Sequence, residues 1–185
     1  IVILASNSPR RKELLSGLGI CYEVKTLPGI EESYPDTLSG EEIPVFIACE
    51  KADAYRQTMH SDELIITADT IVWLDGLVMG KPEDEEDARR MLRCLSGKTH
   101  QVITGVCLTT TEFQKSFATV TDVTFAELTE EEIDYYVQKY KPMDKAGSYG
   151  IQEWIGFVGV EGITGSYFNV MGLPIQRLYK ELKKL

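Results

Sequence analysis

Leu4-Ala5-Ser6-Asn7-Ser8-Pro9-Arg10-Arg11-Lys12-Glu13-Leu14-Leu15 joins an apolar strand to an amphipathic helix through a tight turn. The strand signal is the short, apolar and β-branched run that ends at Leu4. Ser8 is a good helix N-cap, and Pro9 suits the first helical position. Leu14, Leu15 and Leu18 then form one apolar stripe, which ends at Gly17 or Gly19. The sequence therefore predicts a strand, a turn and a helix at the start of the chain.

Three cations, Arg10, Arg11 and Lys12, fall in the first turn of this predicted helix. Cations there cost roughly 0.3–1 kcal/mol each, because the helix dipole is already positive at that end. A bound anion reverses the sign of this cost, since backbone amides, serine hydroxyls and guanidinium groups would converge on it. A solvated basic turn is the alternative, and the tight strand-to-helix junction favours the anion site.

Composition excludes some partners. The 185 residues are 43% hydrophobic and 26% charged, with a formal net charge of −10. An acidic chain binds nucleic acid and anionic membranes poorly, so we expect neither partner, and an anion site must be local and assisted by a metal. The cysteines form no CxxC pair, there is no signal-peptide pattern, and no apolar run approaches the roughly 18 residues of a membrane span. We expect reduced thiols and a cytoplasmic protein.

The strongest predicted strand covers residues 64–74 and is apolar on both faces except at Asp69. A carboxylate inside such a run must be hydrogen-bonded, paired, bound to a metal or turned to a cleft, because an unpaired buried charge is costly. A structural aspartate satisfied by backbone amides is the alternative to a functional one. Asp75-Gly76 is a hairpin signal, and residues 77–79 are predicted to return as a second strand.

Strands alternate with helices along the rest of the chain. Further strands are predicted at 21–27, 99–111, 116–125 and 155–160, and further helices at 40–58, 83–96, 129–139 and 174–182. The two strands at 99–111 and 116–125 form an antiparallel hairpin. We therefore predict an α/β fold, with a single domain over residues 1–185 and a mixed, elongated central sheet flanked by helices.

Isolated charged residues mark a candidate site. Lys51 has apolar residues one helical turn away on either side, so it either points into a cleft or runs its stem along the surface. A second lysine, Lys81, follows the predicted hairpin between a glycine and a proline. The loop after residue 27 holds Glu31 and Glu32, which are either solvated or suited to a hard divalent cation.

The sequence thus offers cations to bind phosphates, carboxylates to bind a metal, and one carboxylate free to deprotonate water. This combination suits phosphoanhydride hydrolysis. No Ser-His-Asp order or cysteine–histidine pair supports covalent catalysis. For His100 we expect a structural or exposed role. Glycine turns around Tyr149 and Gln152 either shape the backbone or form a pocket that offers the Gln152 amide to a base edge.

Seven motifs follow one another along the chain: Ala5-Ser6-Asn7-Ser8-Pro9-Arg10-Arg11, Glu50-Lys51-Ala52, Ala68-Asp69-Thr70, Gly80-Lys81-Pro82, Leu95-Ser96-Gly97 with Thr99-His100-Gln101-Val102, Asp144-Lys145-Ala146-Gly147 and Gly172-Leu173-Pro174. Together they resemble the Maf (septum formation) proteins over almost the whole chain. The resemblance implies a fold similar to inosine-triphosphate pyrophosphatases. It also implies a homodimer and a nucleoside triphosphate pyrophosphatase that releases the monophosphate and pyrophosphate with a divalent metal, Mg²⁺ or Mn²⁺.

The resemblance implies roles for individual residues as well. Asp69 would be the proton acceptor that activates water, and Glu31 with Asp69 would hold the metal. The triphosphate would be bound by Ser6, Arg10, Arg11, Lys51 and Lys81. Substrate choice would depend on Arg11, Thr70 and Gln152. The run from Tyr149 to Gln152 resembles the subgroup that hydrolyses dTTP and UTP, an activity that could extend to modified pyrimidine nucleotides.

Two positions depart from the family pattern. Glu153 follows Gln152 where the family often has glycine, which would crowd or recharge the rim of a base pocket. Glu31-Glu32 stands where an Asp-Glu pair is common. Two alternatives stay open: the subgroup that hydrolyses 7-methyl-GTP, and a nucleotide-binding regulator of septum formation that contacts cell-division proteins and hydrolyses nucleotides only incidentally.

Overall fold

Seven strands and seven α-helices make up the computed structural model, which describes residues 1–185. The strands are β1 Val2–Leu4, β2 Tyr22–Val24, β3 Leu64–Leu74, β4 Leu77–Met79, β5 Thr99–Thr109, β6 Gln114–Phe125 and β7 Val160–Thr164. The helices are α1 Pro9–Ser16, α2 Glu42–Arg56, α3 Glu85–Leu95, α4 Glu130–Tyr140, α5 Trp154–Gly159, α6 Tyr167–Met171 and α7 Ile175–Leu182. A 3-10 turn, Ala146–Ser148, precedes α5. None of the helices is both long enough and apolar enough to cross a membrane.

The strands form one mixed sheet in the order β2-β1-β3-β5-β6-β7, with β4 paired to β3. β1 runs parallel to β2 and to β3, in the register Leu4↔Val24 and Leu4↔Ile66. β4 is antiparallel to β3, and β7 is antiparallel to β6. Helices that alternate with these strands complete the arrangement, so the predicted α/β class and mixed sheet are confirmed.

The chain divides into two compact units. The first contains Ile1–Asp69, Thr104–Thr119 and Gly172–Leu185, and the second contains Thr70–Ile103 and Val120–Met171. The core of the first unit is an apolar cluster contributed by β1, α1, β3, β5, β6 and the last segment of the chain. Its buried members are Leu4, Leu15, Ile66, Ala68, Val106, Leu108, Phe117, Leu173 and Leu178.

Small residues let α2 approach β5 closely in the first unit. Ala48, Ala52 and Cys107 form a fully buried cluster. A Cβ atom built on Gly105 would lie 2.4 Å from the carbonyl carbon of Pro44, a distance that real Cβ atoms do not reach. The helix therefore rests directly on the strand backbone, which fixes the position of the side chains that α2 carries.

Glu181 anchors α7 within the same unit. It is buried, and it pairs with Lys115 on β6, with Arg177 at 3.1 Å and with Lys184 at 3.3 Å. Hydrogen bonding, first to Lys115 and then to Arg177 and Lys184, lowers the pKa of this carboxyl to about 2. The carboxylate is thus held in its charged form by three cations.

The second unit packs α3 against α4. Each helix begins at a residue whose side chain caps it: Asp84 Oδ1 accepts from the Asp87 amide at 2.7 Å, and Thr129 forms a capping box with Glu132. Apolar residues at helical spacing face inward on both helices. Their buried members are Ala88, Met91, Leu92, Leu95, Ile133, Tyr136 and Val137.

The strand predicted at 155–160 is wrong. Trp154–Gly159 is a short helix, α5, and the strand β7 begins only at Val160, which pairs with Phe125. Ile155 is fully buried while Phe157 and Val158 are exposed, a pattern that a helical turn permits. The composition of this segment is typical of strands. Strand propensity depends on context, however, and here the packing of the segment favours a helix. The helix α6 was not predicted, and the strand expected at 21–27 covers only Tyr22–Val24.

Candidate active site

The turn between β1 and α1 is built as the sequence predicts. Ser8 is the N-cap, and its Oγ accepts from the Arg11 amide at 3.3 Å, while Pro9 is the first helical residue. The Ser6 hydroxyl accepts from the Ser8 amide at 3.1 Å. Ala5 donates its amide to the Ile66 carbonyl at 3.0 Å, which ties the turn to β3. The helix N-terminus therefore lies at the carboxyl end of β1, where α/β folds bind anions.

Within the first unit, the Arg11 side chain contacts the last segment of the chain. Its Nε donates to the carbonyl of Gly172 at 2.7 Å. Burial lowers the pKa of the Arg11 guanidinium, and the Asp69 and Glu32 carboxylates oppose this effect. Arg10, beside it in the first helical turn, is half-buried and adds to the lowering. Since a guanidinium stays protonated in proteins, Arg11 is a fixed cation near two carboxylates.

Lys51 on α2 points inward to β3. Its Nζ donates to the carbonyl of Ala68 at 3.1 Å and lies 3.7 Å from Oδ1 of Asp69. The third neighbour of the ammonium is Oε1 of Glu32, at 3.1 Å. Only 16% of the Lys51 side chain is exposed, so the stem does not run out along the surface. The side chain therefore points inward, toward the carboxylates of Asp69 and Glu32, and not along the surface.

The two glutamates of the loop differ in their surroundings. Glu32 shares the Lys51 ammonium with Asp69. Both glutamates are exposed, and Glu31 lines a groove of about 490 Å³ together with Glu50 and Asp53. The family resemblance predicts Glu31 as the metal ligand, whereas Glu32 is the loop carboxylate beside Lys51 and close to Asp69 and Arg11. An irregular loop has no periodicity from which this difference could be predicted.

Carboxylate oxygens are the donors that a hard divalent cation prefers. Glu32 and Asp69 supply two such groups around one ammonium, although no group of three or more acidic, histidine or cysteine side chains forms a full coordination sphere. Mg²⁺ keeps water ligands and takes one or two protein carboxylates together with substrate phosphates. The donor set therefore fits a metal that is completed by its substrate.

Lys81 lies in the second unit, directly after β4. It is exposed, and the preceding Gly80 accepts a hydrogen bond from the Gly147 amide at 3.1 Å. Gly147 has a positive φ of 69°, and a Cβ atom there would lie 2.5 Å from Cγ2 of Val72. Glycine is thus required on both counts, and the loop of residues 145–150 rests against the strand and turn that carry Thr70 and Lys81.

Gln152 lies in the turn that leads into α5. Its Oε1 is buried and has no hydrogen-bond partner. The neighbouring Glu153 accepts a hydrogen bond of 2.5 Å from the Tyr136 hydroxyl, which in turn accepts from the Gly150 amide at 3.0 Å. Burial and, secondly, the Glu153 hydrogen bond raise the pKa of Tyr136, so its hydroxyl stays protonated and donates.

An aromatic cluster packs around Tyr149 in the loop of residues 145–150. Tyr149 is buried against Phe125 and His100, with ring centroids 4.9 Å and 5.4 Å away. His100 Nε2 and the Tyr149 hydroxyl are 2.6 Å apart and hydrogen-bonded. Burial lowers the pKa of His100 to about 4, which keeps the imidazole neutral at physiological pH. The structural role expected for His100 agrees with this packing.

The predicted residues therefore fall into two groups. Those in the first unit are Ser6, Arg10, Arg11, Glu31, Lys51 and Asp69. Within it, the structure gathers Arg11, Lys51 and Asp69 with Glu32, a loop glutamate predicted to suit a cation but given no role by the family resemblance. Those in the second unit are Thr70, Lys81 and Gln152.

A buried aspartate within β3, close to a lysine of α2 and to an arginine in the first turn of α1, is typical of proteins that handle phosphorylated ligands. The chain belongs to the Maf family: the family model described as "Maf-like protein" matches residues 1–185. The membership predicted from the seven motifs is confirmed.

Curated relatives are similar over the full length of this chain. The chain is 82% identical over 184 residues to a protein of Phocaeicola vulgatus named dTTP/UTP pyrophosphatase. The alignment covers 100% of this chain and 95% of the relative. The chain is 71% identical, with the same coverage, to a protein of Bacteroides fragilis that has the same name. Among solved structures, a HAM1 protein from Coxiella burnetii matches with a TM-score of 0.52 and 15% identity, covering 100% of this chain and 98% of that one. This last likeness shows a shared fold.

Proposed function

We propose that this chain is a nucleoside triphosphate pyrophosphatase that hydrolyses dTTP and UTP to the monophosphate and pyrophosphate. The observation that carries the proposal is the Lys51 ammonium, which lies within 3.7 Å of both Asp69 and Glu32. High identity to relatives named dTTP/UTP pyrophosphatase supports the choice of substrate.

In the proposed mechanism Asp69 is the general base. It takes a proton from water, and the resulting hydroxide attacks the α-phosphorus of the nucleotide. The bond between the α-phosphorus and the bridging oxygen breaks, and pyrophosphate leaves with the electron pair. Lys51 and Arg11 stabilise the negative charge that builds on the phosphates during the reaction.

Binding of the triphosphate is assigned to Ser6, Arg10, Arg11, Lys51 and Lys81. The α1 N-terminus supports this assignment, because its amides and the Ser6 and Ser8 hydroxyls are already oriented by the N-cap. Lys81 belongs to the second unit, and its assignment rests on the Gly-Lys-Pro motif and its exposure. Arg11, Thr70 and Gln152 are assigned to substrate choice on the same motif basis.

We also propose a divalent cation, Mg²⁺ or Mn²⁺, held by Asp69 with the loop carboxylates Glu31 and Glu32. Glu32 is the better placed of the two loop glutamates, because it shares the Lys51 ammonium with Asp69. When bound, such a cation would neutralise phosphate charge and polarise the reacting phosphoryl group.

The first test is a product assay on the purified protein with Mg²⁺ or Mn²⁺ and a panel of dTTP, UTP, CTP, GTP and 7-methyl-GTP. Release of pyrophosphate with dTMP or UMP is the expected result. A preference for 7-methyl-GTP would contradict the subgroup but keep the mechanism. Tight nucleotide binding without turnover would instead support a regulator that acts through cell-division proteins.

A homodimer and a cytoplasmic location complete the proposal. Exposed apolar side chains of the second unit support self-association, among them Phe157, which is 79% exposed, and Phe168, which is 46% exposed. Light scattering on the wild type and on Phe157→Glu tests the homodimer, since the charged variant should be monomeric.

The proposed cytoplasmic location concerns the redox state of the thiols. The four free cysteines are consistent with a reducing compartment.

A further inference from the structure

Tyr136 on α4 holds both ends of the turn that contains Gln152. Its hydroxyl accepts from the Gly150 amide at 3.0 Å and donates to Glu153 Oε1 at 2.5 Å. The Glu153 amide also donates to the Gly150 carbonyl at 3.0 Å, which closes the turn. Residues 150–153 are therefore fastened to a buried helix side chain and are not a free loop.

Lys145 balances the charge of Glu153. Its Nζ lies 3.7 Å from Glu153 Oε2 and 3.0 Å from Asp144 Oδ1, and the two side chains Lys145 and Glu153 are only 11% and 22% exposed. A Cβ atom on Gly150 would lie 2.8 Å from Glu153 Oε1 and 2.9 Å from Lys145 Cε. The carboxylate thus fills the space above Gly150, where glycine alone fits.

Gln152 lies between these held residues, and its side-chain oxygen lacks a hydrogen-bond partner. Gln152 Oε1 is buried without a partner, so a ligand that brings a donor there gains a bond that the free protein lacks. Uracil and thymine carry an N–H group at N3, whereas cytosine carries a bare nitrogen that accepts. An amide oxygen held in one place therefore favours the first two bases and disfavours the third.

We propose that Glu153 is a positioning residue for pyrimidine choice: bonded to Tyr136, it holds the 150–153 turn so that Gln152 Oε1 meets the N3–H of uracil or thymine. The inference rests on the proposed hydrolysis of dTTP and UTP. It assigns a use to the glutamate that stands where the family often has glycine.

The experiment compares kcat and KM for UTP and CTP in the full-length wild type and in E153A, Y136F and E153Q. Loss of the fastening in E153A and Y136F should lower the UTP-to-CTP ratio of kcat/KM about tenfold, mainly through a higher KM for UTP. E153Q keeps an oxygen that accepts from Tyr136, so it should retain most of the ratio. Y135F is the matched control, because the neighbouring Tyr135 hydroxyl is exposed and contacts Lys139 at 3.0 Å.

A UTP-to-CTP ratio that stays at the wild-type value in E153A and Y136F would overturn the inference alone. So would an equal loss of kcat/KM for both nucleotides with a lower melting temperature, which is the signature of a merely structural role. An E153Q variant as impaired as E153A would exclude positioning by hydrogen bond. A wild type that hydrolyses neither dTTP nor UTP would overturn the proposed function and this inference with it. If E153A does not fold, Y136F decides.

Discussion

Lys51 Nζ lies 3.7 Å from Oδ1 of Asp69, and the two residues come from two different elements, α2 and β3. The strand is held on one edge by β1, and the helix rests on β5 at Gly105. Neither residue depends on a loop for its position. The distance between base and cation is therefore set by the packing of regular elements, which favours pre-organised electrostatic stabilisation.

Replacing Asp69 by Asn should abolish turnover and preserve binding. Asparagine has nearly the same shape but cannot accept the proton of water, so kcat for UTP should fall at least about 100-fold. Binding of a non-hydrolysable UTP analogue, measured by calorimetry, should remain or become tighter, because a negative charge near the phosphates is lost. Asp122→Asn on β6 is the control. Wild-type kcat in Asp69→Asn would refute the assignment of the general base.

The two loop glutamates should differ in their effect on metal dependence. Glu32→Gln should raise the Mn²⁺ concentration for half-maximal activity at least about tenfold, because Glu32 is the loop carboxylate at the Lys51 ammonium. Glu31→Gln should have a smaller effect. Mn²⁺ binding followed by electron paramagnetic resonance in the presence of nucleotide provides a second readout. The opposite order would restore Glu31 as the principal ligand.

Glu181 should make stability depend on acid pH. Its pKa is about 2 in the folded protein and 4.5 ordinarily, so the ionised carboxylate stabilises the fold above 4.5, and this contribution is lost as the pH falls to about 2. Glu181→Gln should therefore have a lower urea midpoint than the wild type at neutral pH. The difference should vanish in strong acid. Glu161→Gln, exposed on β7, should match the wild type at every pH.

Cys49 should be the most reactive thiol of the four at neutral pH. Its Sγ lies 3.6 Å from that of Cys107, and this hydrogen bond lowers the pKa of the half-exposed Cys49. Because the thiolate is the nucleophile, iodoacetamide should label Cys49 first, as mapped by mass spectrometry. Cys107→Ala should slow the labelling. Faster reaction of the exposed Cys21 would contradict the prediction.

Local signals predicted the fold where they were strong. The apolar run of β3 and the Asp75-Gly76 turn gave both strands at their observed bounds, and Asp75 and Gly76 have the positive φ values, 49° and 82°, that this turn requires. At 155–160 the signal was misleading, because a strand-like composition was overridden by packing. The contacts of Lys51 and the separation of Glu31 from Glu32 depend on tertiary structure, so the sequence could suggest these residues but not their partners.

Gly105 has a consequence for inherited variation. A side chain at this position would push against the backbone at Pro44 and displace the helix that carries Lys51. Gly105 is far from Lys51 in the sequence and contributes no functional group to the reaction. Even the mildest missense change, Gly105→Ala, is therefore expected to behave as a loss-of-function allele, with selection acting on a codon whose product has no chemistry of its own.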